Sequence, residues 1–494
     1  MEEMMQVLPV ALAVFVLLAA AASLRSRRHC AGNTLRTVPV PATIEVRDPE
    51  AARRMIIDHA DCFSDHPAVP FPVDLDAGHP KTSSINSAPY GPLWRVLRCN
   101  LTAGVLHPSR LAHLAPLQRD AVESLVADLM LAVAARGGRA GAGDGAAVIA
   151  VRDALYAAVF KVVARMCFGD GVGERDVRAM QRTLREFFHS GVDARHLATS
   201  RLARLLHWRQ WRHLVGTRGR LAKVFVPAIA ARRQLRRSNA SGVRSYVDSL
   251  LDLRVPDNDD DEPSNDTVRR RALRDDEMVR LIWEFLGAGT ETVVACVEWT
   301  LAHLVAHPGV QKKLHRELSG GDQRSFQDLP YLRAVILESL RLHPPVPFIL
   351  RDVVGLPEIA AATEVGRAVT LPPPDGTPVR FVFMAEDIAR DPKAWTDPEE
   401  FWPERFLDGG EGEDVSPTPG PKEIRMMPFG AGRRHCPGAG LAVIQAKCFV
   451  AALVREFEWT LPATGGGVDH TSTNALFFKV MALPLRACIV PRRS

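Results

Sequence analysis

No two cysteines in this 494-residue chain are spaced as CxxC. Its eight cysteines (Cys30, Cys62, Cys99, Cys167, Cys296, Cys436, Cys448 and Cys488) stand singly along the sequence. That scatter offers no zinc-type cluster, and reduced structural thiols suit a body facing the cytosol better than one in an oxidising lumen. Excess charge of one sign is also scarce. The 62 basic and 57 acidic residues leave a formal charge of +5, too little to imply general nucleic-acid binding, although a local basic face for an acidic partner remains open. No repeat of fixed period appears, and no flavin or nicotinamide site is apparent. With 47% hydrophobic and 24% charged residues, the composition excludes a wholly disordered or fibrous chain and predicts a folded, enzyme-sized body.

Eighteen residues without a charge run from Val7 to Leu24, followed by Arg25, Arg27 and Arg28. The run is close to the lower length for crossing a bilayer, and the basic flank places everything after it in the cytosol. A cleaved signal peptide would need a positive segment in front of the run, where Glu2 and Glu3 stand instead. Helical periodicity is predicted over 148–167, 174–190, 275–307 and 438–456, and strand-like alternation over Val38–Val46 and Ala475–Val490. Residues 137–146 and 257–266 read as solvated loops. The arginine-rich stretch 201–237 reads as an exposed helix pair that packs Trp208 and Trp211 inward, with contact to a membrane surface as an alternative.

The stretch Phe429-Gly-Ala-Gly-Arg-Arg-His-Cys-Pro-Gly438 precedes an apolar helical run. Its glycines permit a tight turn and a close backbone approach to a flat group, and Cys436 arrives where a helix begins, whose amides favour thiolate. An inert buried thiol is the plain alternative. This stretch resembles the haem-binding loop of cytochromes P-450, matching its fixed positions at Phe429, Gly432, Arg434, Cys436 and Gly438. The resemblance implies haem b with Cys436 as axial ligand, Arg434 on a haem propionate and Phe429 beside the thiolate. Thiolate ligation favours O–O cleavage, hence oxidation over oxygen carriage.

Residues Glu284-Phe-Leu-Gly-Ala-Gly-Thr-Glu-Thr292 resemble the oxygen-binding helix of that family. Helical spacing puts Phe285, Ala288, Gly289, Thr292 and Cys296 on one face, with Ala288 and Gly289 leaving room at the cofactor. A hydroxyl bond from Thr292 back to Ala288 would bend the helix and open a groove, with Glu291 as its neighbour in a proton relay. Helix packing alone is the plainer account of such small residues. Val293 stands where the family often has Thr or Ser. Glu338-Ser-Leu-Arg341 and Arg405 match the family's structural Glu-Arg-Arg triad, although an ExxR pair by itself is more often a solvated ion pair. Trp94-Arg-Val-Leu-Arg98 matches the WRxxR motif, implying that Trp94 and Arg98 meet the second propionate; Arg351 is a third candidate there.

These motifs occur in the family's order over residues 90–460, with wording closest to plant A-type members and the eighty-nine family. The resemblance implies a mainly α fold with a small β lobe. The expected organisation is an N-terminal transmembrane anchor with its basic flank (1–28), a short linker and strand (29–45) and a catalytic domain (46–494). The implied function is a monooxygenase that inserts one oxygen atom from dioxygen into a small lipophilic substrate. Electrons would come from NADPH through a separate NADPH-cytochrome P-450 reductase docked on basic side chains. The implied location is the endoplasmic reticulum membrane, single-pass, with the body on the cytosolic side and no nucleic-acid partner. Specificity would arise near Phe71–Asn86, Phe285, Val346–Phe348 and Leu476–Phe477. A haem-thiolate isomerase or dehydratase is an alternative, as is a truncated, non-catalytic haem-binding paralogue. The latter is suggested because the chain passes directly from the basic run to Thr37–Val46, skipping the family's hinge, first helix and first strand and leaving a sheet edge without its expected partner.

Overall fold

The computed structural model describes residues 43–67, 84–137, 147–193, 205–238, 244–257, 270–320, 326–354, 378–462, 467–475 and 478–492. The anchor candidate 7–24, Phe71–Ser83, most of both expected loops and Leu476–Phe477 lie outside them. In chain order the helices are α1 (Pro49–Arg53), α2 (Pro92–Gly104), α3 (Pro108–Leu111), α4 (Ala115–Gly137), α5 (Arg152–Phe168), α6 (Glu174–Asp193), α7 (Trp208–Arg237), α8 (Tyr246–Asp252), α9 (Asp275–Ala306), α10 (Pro308–Ser319), α11 (Pro330–Leu342), α12 (Ala385–Ile388) and α13 (Ala439–Glu456). The strands are β1 (Thr43–Val46), β2 (Ala147–Ala150), β3 (Arg254–Pro256), β4 (Arg270–Ala272), β5 (Ile349–Val353), β6 (Val379–Phe383), β7 (Phe457–Thr460), β8 (Ser472–Ala475), β9 (Phe478–Met481) and β10 (Arg486–Pro491).

Helix α9 is the axis of the body. Asp275, Asp276 and Glu277 occupy its first turn, where negative charge suits the helix dipole, and Glu277 also accepts from the amide of Arg274 at 2.8 Å. The helix stops before Pro308, which disfavours helical geometry in the residue preceding it. Between those ends almost every side chain from Val293 to Val305 is buried, because α5, α11 and α13 pack around it. A separate apolar cluster forms the small lobe, where Ile44, Val46, Met55, Phe63, Phe381 and Phe383 pack under the sheet β1-β6-β5. In that sheet β1 runs parallel to β6 with Thr43 opposite Arg380, and β5 runs antiparallel to β6 with Ile349 opposite Phe383. Among the described residues β1 is an edge strand.

The structure corrects three sequence expectations. The helix expected over 148–167 starts only at Arg152, because residues 147–150 pair with β10 as strand β2. Its Val148 and Ile149 suit a strand, and the cross-strand bonds override the helical period. The alternation over 475–490 is divided, with β9 ending at Met481 and β10 starting at Arg486. Within the arginine-rich stretch, Trp208–Arg237 is one helix. Trp208 is 49% exposed rather than turned inward, with the guanidiniums of Arg209 and Arg212 at 5.9 and 5.3 Å from its ring centre, where cation–π contact holds it at the surface.

Candidate active site

The loop before α13 is built by its glycines. Gly430 and Gly432 have φ of +71° and +68°, which L side chains rarely adopt, and a Cβ on Gly432 would also collide with the Ile56 carbonyl. The Gly432–Arg434 turn then brings the chain back so that the Cys436 amide donates to Phe429 O at 2.7 Å. The Gly438 carbonyl accepts the first helical bond, from Ala442 at 2.8 Å. Cys436 is thus fixed just ahead of α13. Burial pushes its thiol up from the ordinary value, while the Gly438 N–H and the Arg98 cation pull it back toward thiolate.

Three arginines from three separate elements gather near this loop. Arg98 of α2 donates to His435 O at 2.6 Å. Arg434 donates to Ser64 O, to Ala88 O at 2.6 Å and to Ile85 O at 3.3 Å. Arg351 of β5 is 2% exposed, and its Nε has no partner among the described residues. Burial lowers Arg98 and takes Arg434 down to about 10 and Arg351 to about 9, with the Arg434 charge adding to the effect on Arg351. His66 falls to about 3, first through burial and then through Arg351 and Arg434. Clustered, desolvated cations with an unsatisfied guanidinium N–H suit an anionic group with carboxylate oxygens, so the residues present fit the propionate edge of haem. Trp94 is buried, donates Nε1 to Ile85 O at 3.1 Å and lies against Arg434, 4.9 Å from its ring centre. Its described polar contact is thus to the protein.

On α9 the hydroxyl of Thr292 donates to Ala288 O at 2.8 Å. Ala288 is exposed in the middle of an otherwise buried helix, so this face fronts an open space. Thr292 and Phe429 line one small cavity with Cys296, Leu340, Pro345 and Ala442, which brings the oxygen-helix candidate and the cysteine loop to the same place. Two residues expected at the site point elsewhere. A Cβ on Gly289 would press on Val163 of α5, so this glycine allows close helix packing. Glu291 faces Tyr156 of α5 and the Arg185 and Arg152 cations, and burial raises its carboxyl. One residue is 100° of helix, enough to turn Glu291 toward α5 while Thr292 faces the open side. Phe285, also expected to line the site, packs on Tyr246 with ring centres 4.8 Å apart.

Behind the loop, Glu338 accepts from Arg341 at 2.7 and 2.8 Å and from Arg405 at 3.2 Å, all three side chains being fully buried. The Trp402 amide donates to the same carboxylate at 3.0 Å. Glu411 joins through an ion pair with Arg405, a member the motif did not indicate. The sequence reading also passed over Glu284, whose carboxylate accepts from the amides of Ile85 and Asn86 at 3.0 and 2.6 Å. Its available signal was position: Glu284, Ala288 and Thr292 follow each other at four-residue steps.

A cysteine presented at a helix start, a cationic pocket for a dianionic flat cofactor and a long helix that brings Thr292 to the same cavity as Phe429 together describe a haem-thiolate oxidoreductase. The chain belongs to the cytochrome P450 family, whose model, Cytochrome P450, matches residues 23–485. It is 33% identical to Cytochrome P450 89A9 of Arabidopsis thaliana, over 94% of this chain and 88% of that protein. It is 32% identical to Cytochrome P450 98A1 of Sorghum bicolor, over 82% and 75%. In fold it matches a zebra fish cytochrome P450 solved with abiraterone, with a TM-score of 0.63 and 23% identity over 91% of this chain and 94% of that one. The protein is therefore a monooxygenase that carries haem b with a thiolate ligand to iron and works with a redox partner on a lipophilic substrate.

Proposed function

We propose that Cys436 is the axial thiolate, that Arg98, Arg351 and Arg434 hold the propionates beside Trp94, and that Thr292 manages proton delivery at the reacting face. The observation that carries this reading is the convergence of two buried arginines, Arg351 with an unpartnered Nε and Arg434, and the half-buried Arg98 on the loop that presents Cys436. When bound, thiolate-ligated haem supplies the activation of dioxygen that places one oxygen atom in the substrate. The chain's own residues supply the rest. The Gly438 amide and Arg98 stabilise the negative charge of the sulfur. Thr292, bonded to the carbonyl one turn back, opens the helix so that water can enter beside Ala288. Glu291, buried against Tyr156 and Arg185 on the α5 side, stands apart from that groove.

The electron donor in this reading is NADPH through NADPH-cytochrome P-450 reductase. Residues 7–24 anchor the chain as a single span in the endoplasmic reticulum, with the body in the cytosol. The substrate is a small lipophilic molecule, admitted beside Phe285 and the 84–88 loop. The family the chain belongs to favours such a molecule, and the Arg25–Arg28 flank favours the orientation. The test is reconstitution in vesicles with reductase and NADPH. Substrate-dependent NADPH oxidation with one oxygen incorporated supports the reading, and turnover of a peroxide without reductase overturns it in favour of an isomerase.

A further inference from the structure

Loop 84–88 lies between two opposite charges. Its two consecutive amides, Ile85 and Asn86, donate to Glu284 on α9 at 3.0 and 2.6 Å. Its carbonyls at Ile85 and Ala88 accept from Arg434 of the cysteine loop, at 3.3 and 2.6 Å. Trp94 adds a bond to Ile85 O at 3.1 Å, and His66 meets Asn86 O at 2.8 Å. The loop is also closed on itself by Ala88 N to Ser84 O at 2.9 Å. Its peptide groups therefore bridge the anion of the oxygen helix to the arginine that faces the cofactor, by bonds spanning 198 and 346 residues of sequence.

We propose that Glu284 is a positioning residue that fastens loop 84–88 to α9, fixing both the wall of the substrate chamber and the orientation of Arg434. This rests on the reading of Arg434 as a propionate partner only for its second half. The fastening itself is a matter of the two amide bonds. A carboxylate gives each amide its own oxygen, whereas an amide side chain has one acceptor and would turn its NH2 toward the other donor. Glutamate reaches the loop from a helix two turns from Thr292, so a shift of the loop changes the space above the reacting face without altering any group that reacts.

The groups facing Glu284 are Arg434 of the cysteine loop, which opposes its protonation, and Tyr246 of α8, which burial raises well above its ordinary value. Glu284 itself is held by the two amides and by Arg434, each of which favours the ionised carboxylate that gives both amides an oxygen. Burial drives its carboxyl up to about 7 against the pull of the two amides and Arg434.

The experiment is hydrogen exchange of the haem-loaded full chain, followed in peptides covering 84–91, with peptides covering 293–305 of α9 as internal reference. Glu284→Gln is expected to lower protection of the loop about tenfold, the equilibrium value of one hydrogen bond to a charged group, and leave the reference unchanged. Glu284→Asp, one methylene shorter, serves as the second variant should the first fail to fold, and is expected to lose protection as well. Unchanged loop protection in either folded variant overturns the proposal. The absorption spectrum taken alongside tests the cofactor assignment separately.

Discussion

At Cys436 the distinction between sulfur and oxygen carries the chemistry, because a metal-bound thiol loses its proton near neutrality and a serine hydroxyl does not. Cys436→Ser should fold yet lose the reduced-carbonyl spectrum of a thiolate-ligated haem and all turnover. An unchanged spectrum in the folded variant would remove Cys436 from the ligand position. Thr292→Ala deletes the hydroxyl that bonds to Ala288 O while leaving the haem contacts in place. Coupling should fall about tenfold, with reducing equivalents appearing as peroxide, while substrate affinity changes little. Product formed per NADPH oxidised is the deciding ratio, and equality with the parent rules the role out. Gly432→Ala adds a Cβ to a residue at φ +68° that faces the Ile56 carbonyl. The strain, about 1–3 kcal/mol before any collision, should lower both the melting temperature and the haem-loaded fraction. The cysteine loop was legible because its constraints are local: positive φ and a helix start are properties of neighbouring residues. Glu284 was not, because its partners lie 198 and 199 residues away, and neither amide advertises itself in a sequence.

Among the elements, α11 shows how little a motif says about its own weight. Glu338 and Arg341 share a helix face in any reading, but only the packed structure makes the pair fully buried and adds Arg405, Glu411 and the Trp402 amide. In water such a pair contributes little, whereas removing one charge from a buried network strands the others. Glu338→Gln should therefore destabilise the protein by about 3–5 kcal/mol, measurable by denaturant unfolding. A loss under 1 kcal/mol would mean the network behaves as an exposed pair. Strand β2 marks the opposite case, a segment with an acceptable helical period that pairs with β10 instead. Its partner lies more than three hundred residues downstream, beyond the reach of any local pattern.

For the whole molecule, the apolar segment 7–24 and the folded body are separable questions. Removing residues 1–28 should move the protein from the membrane fraction to the soluble one and leave its haem spectrum intact, and a truncated protein that stays membrane-bound would assign the attachment to the body. No single helix among the described residues is long and apolar enough to cross a bilayer. Exposed Leu205, Leu206 and Trp208 lie together in sequence at the start of α7 and would be the place to look in that outcome. The sequence by itself determined the family, the mainly helical fold and the loop that presents Cys436, since these rest on short-range geometry: glycine conformations, helix starts and residues one turn apart. Only the tertiary structure decided that Glu291 turns toward Tyr156, that Gly289 serves packing against Val163, and that Glu284 and Arg434 hold one loop between them. Those facts depend on which distant segments become neighbours and on the loss of water between them, and both are settled only when the core closes.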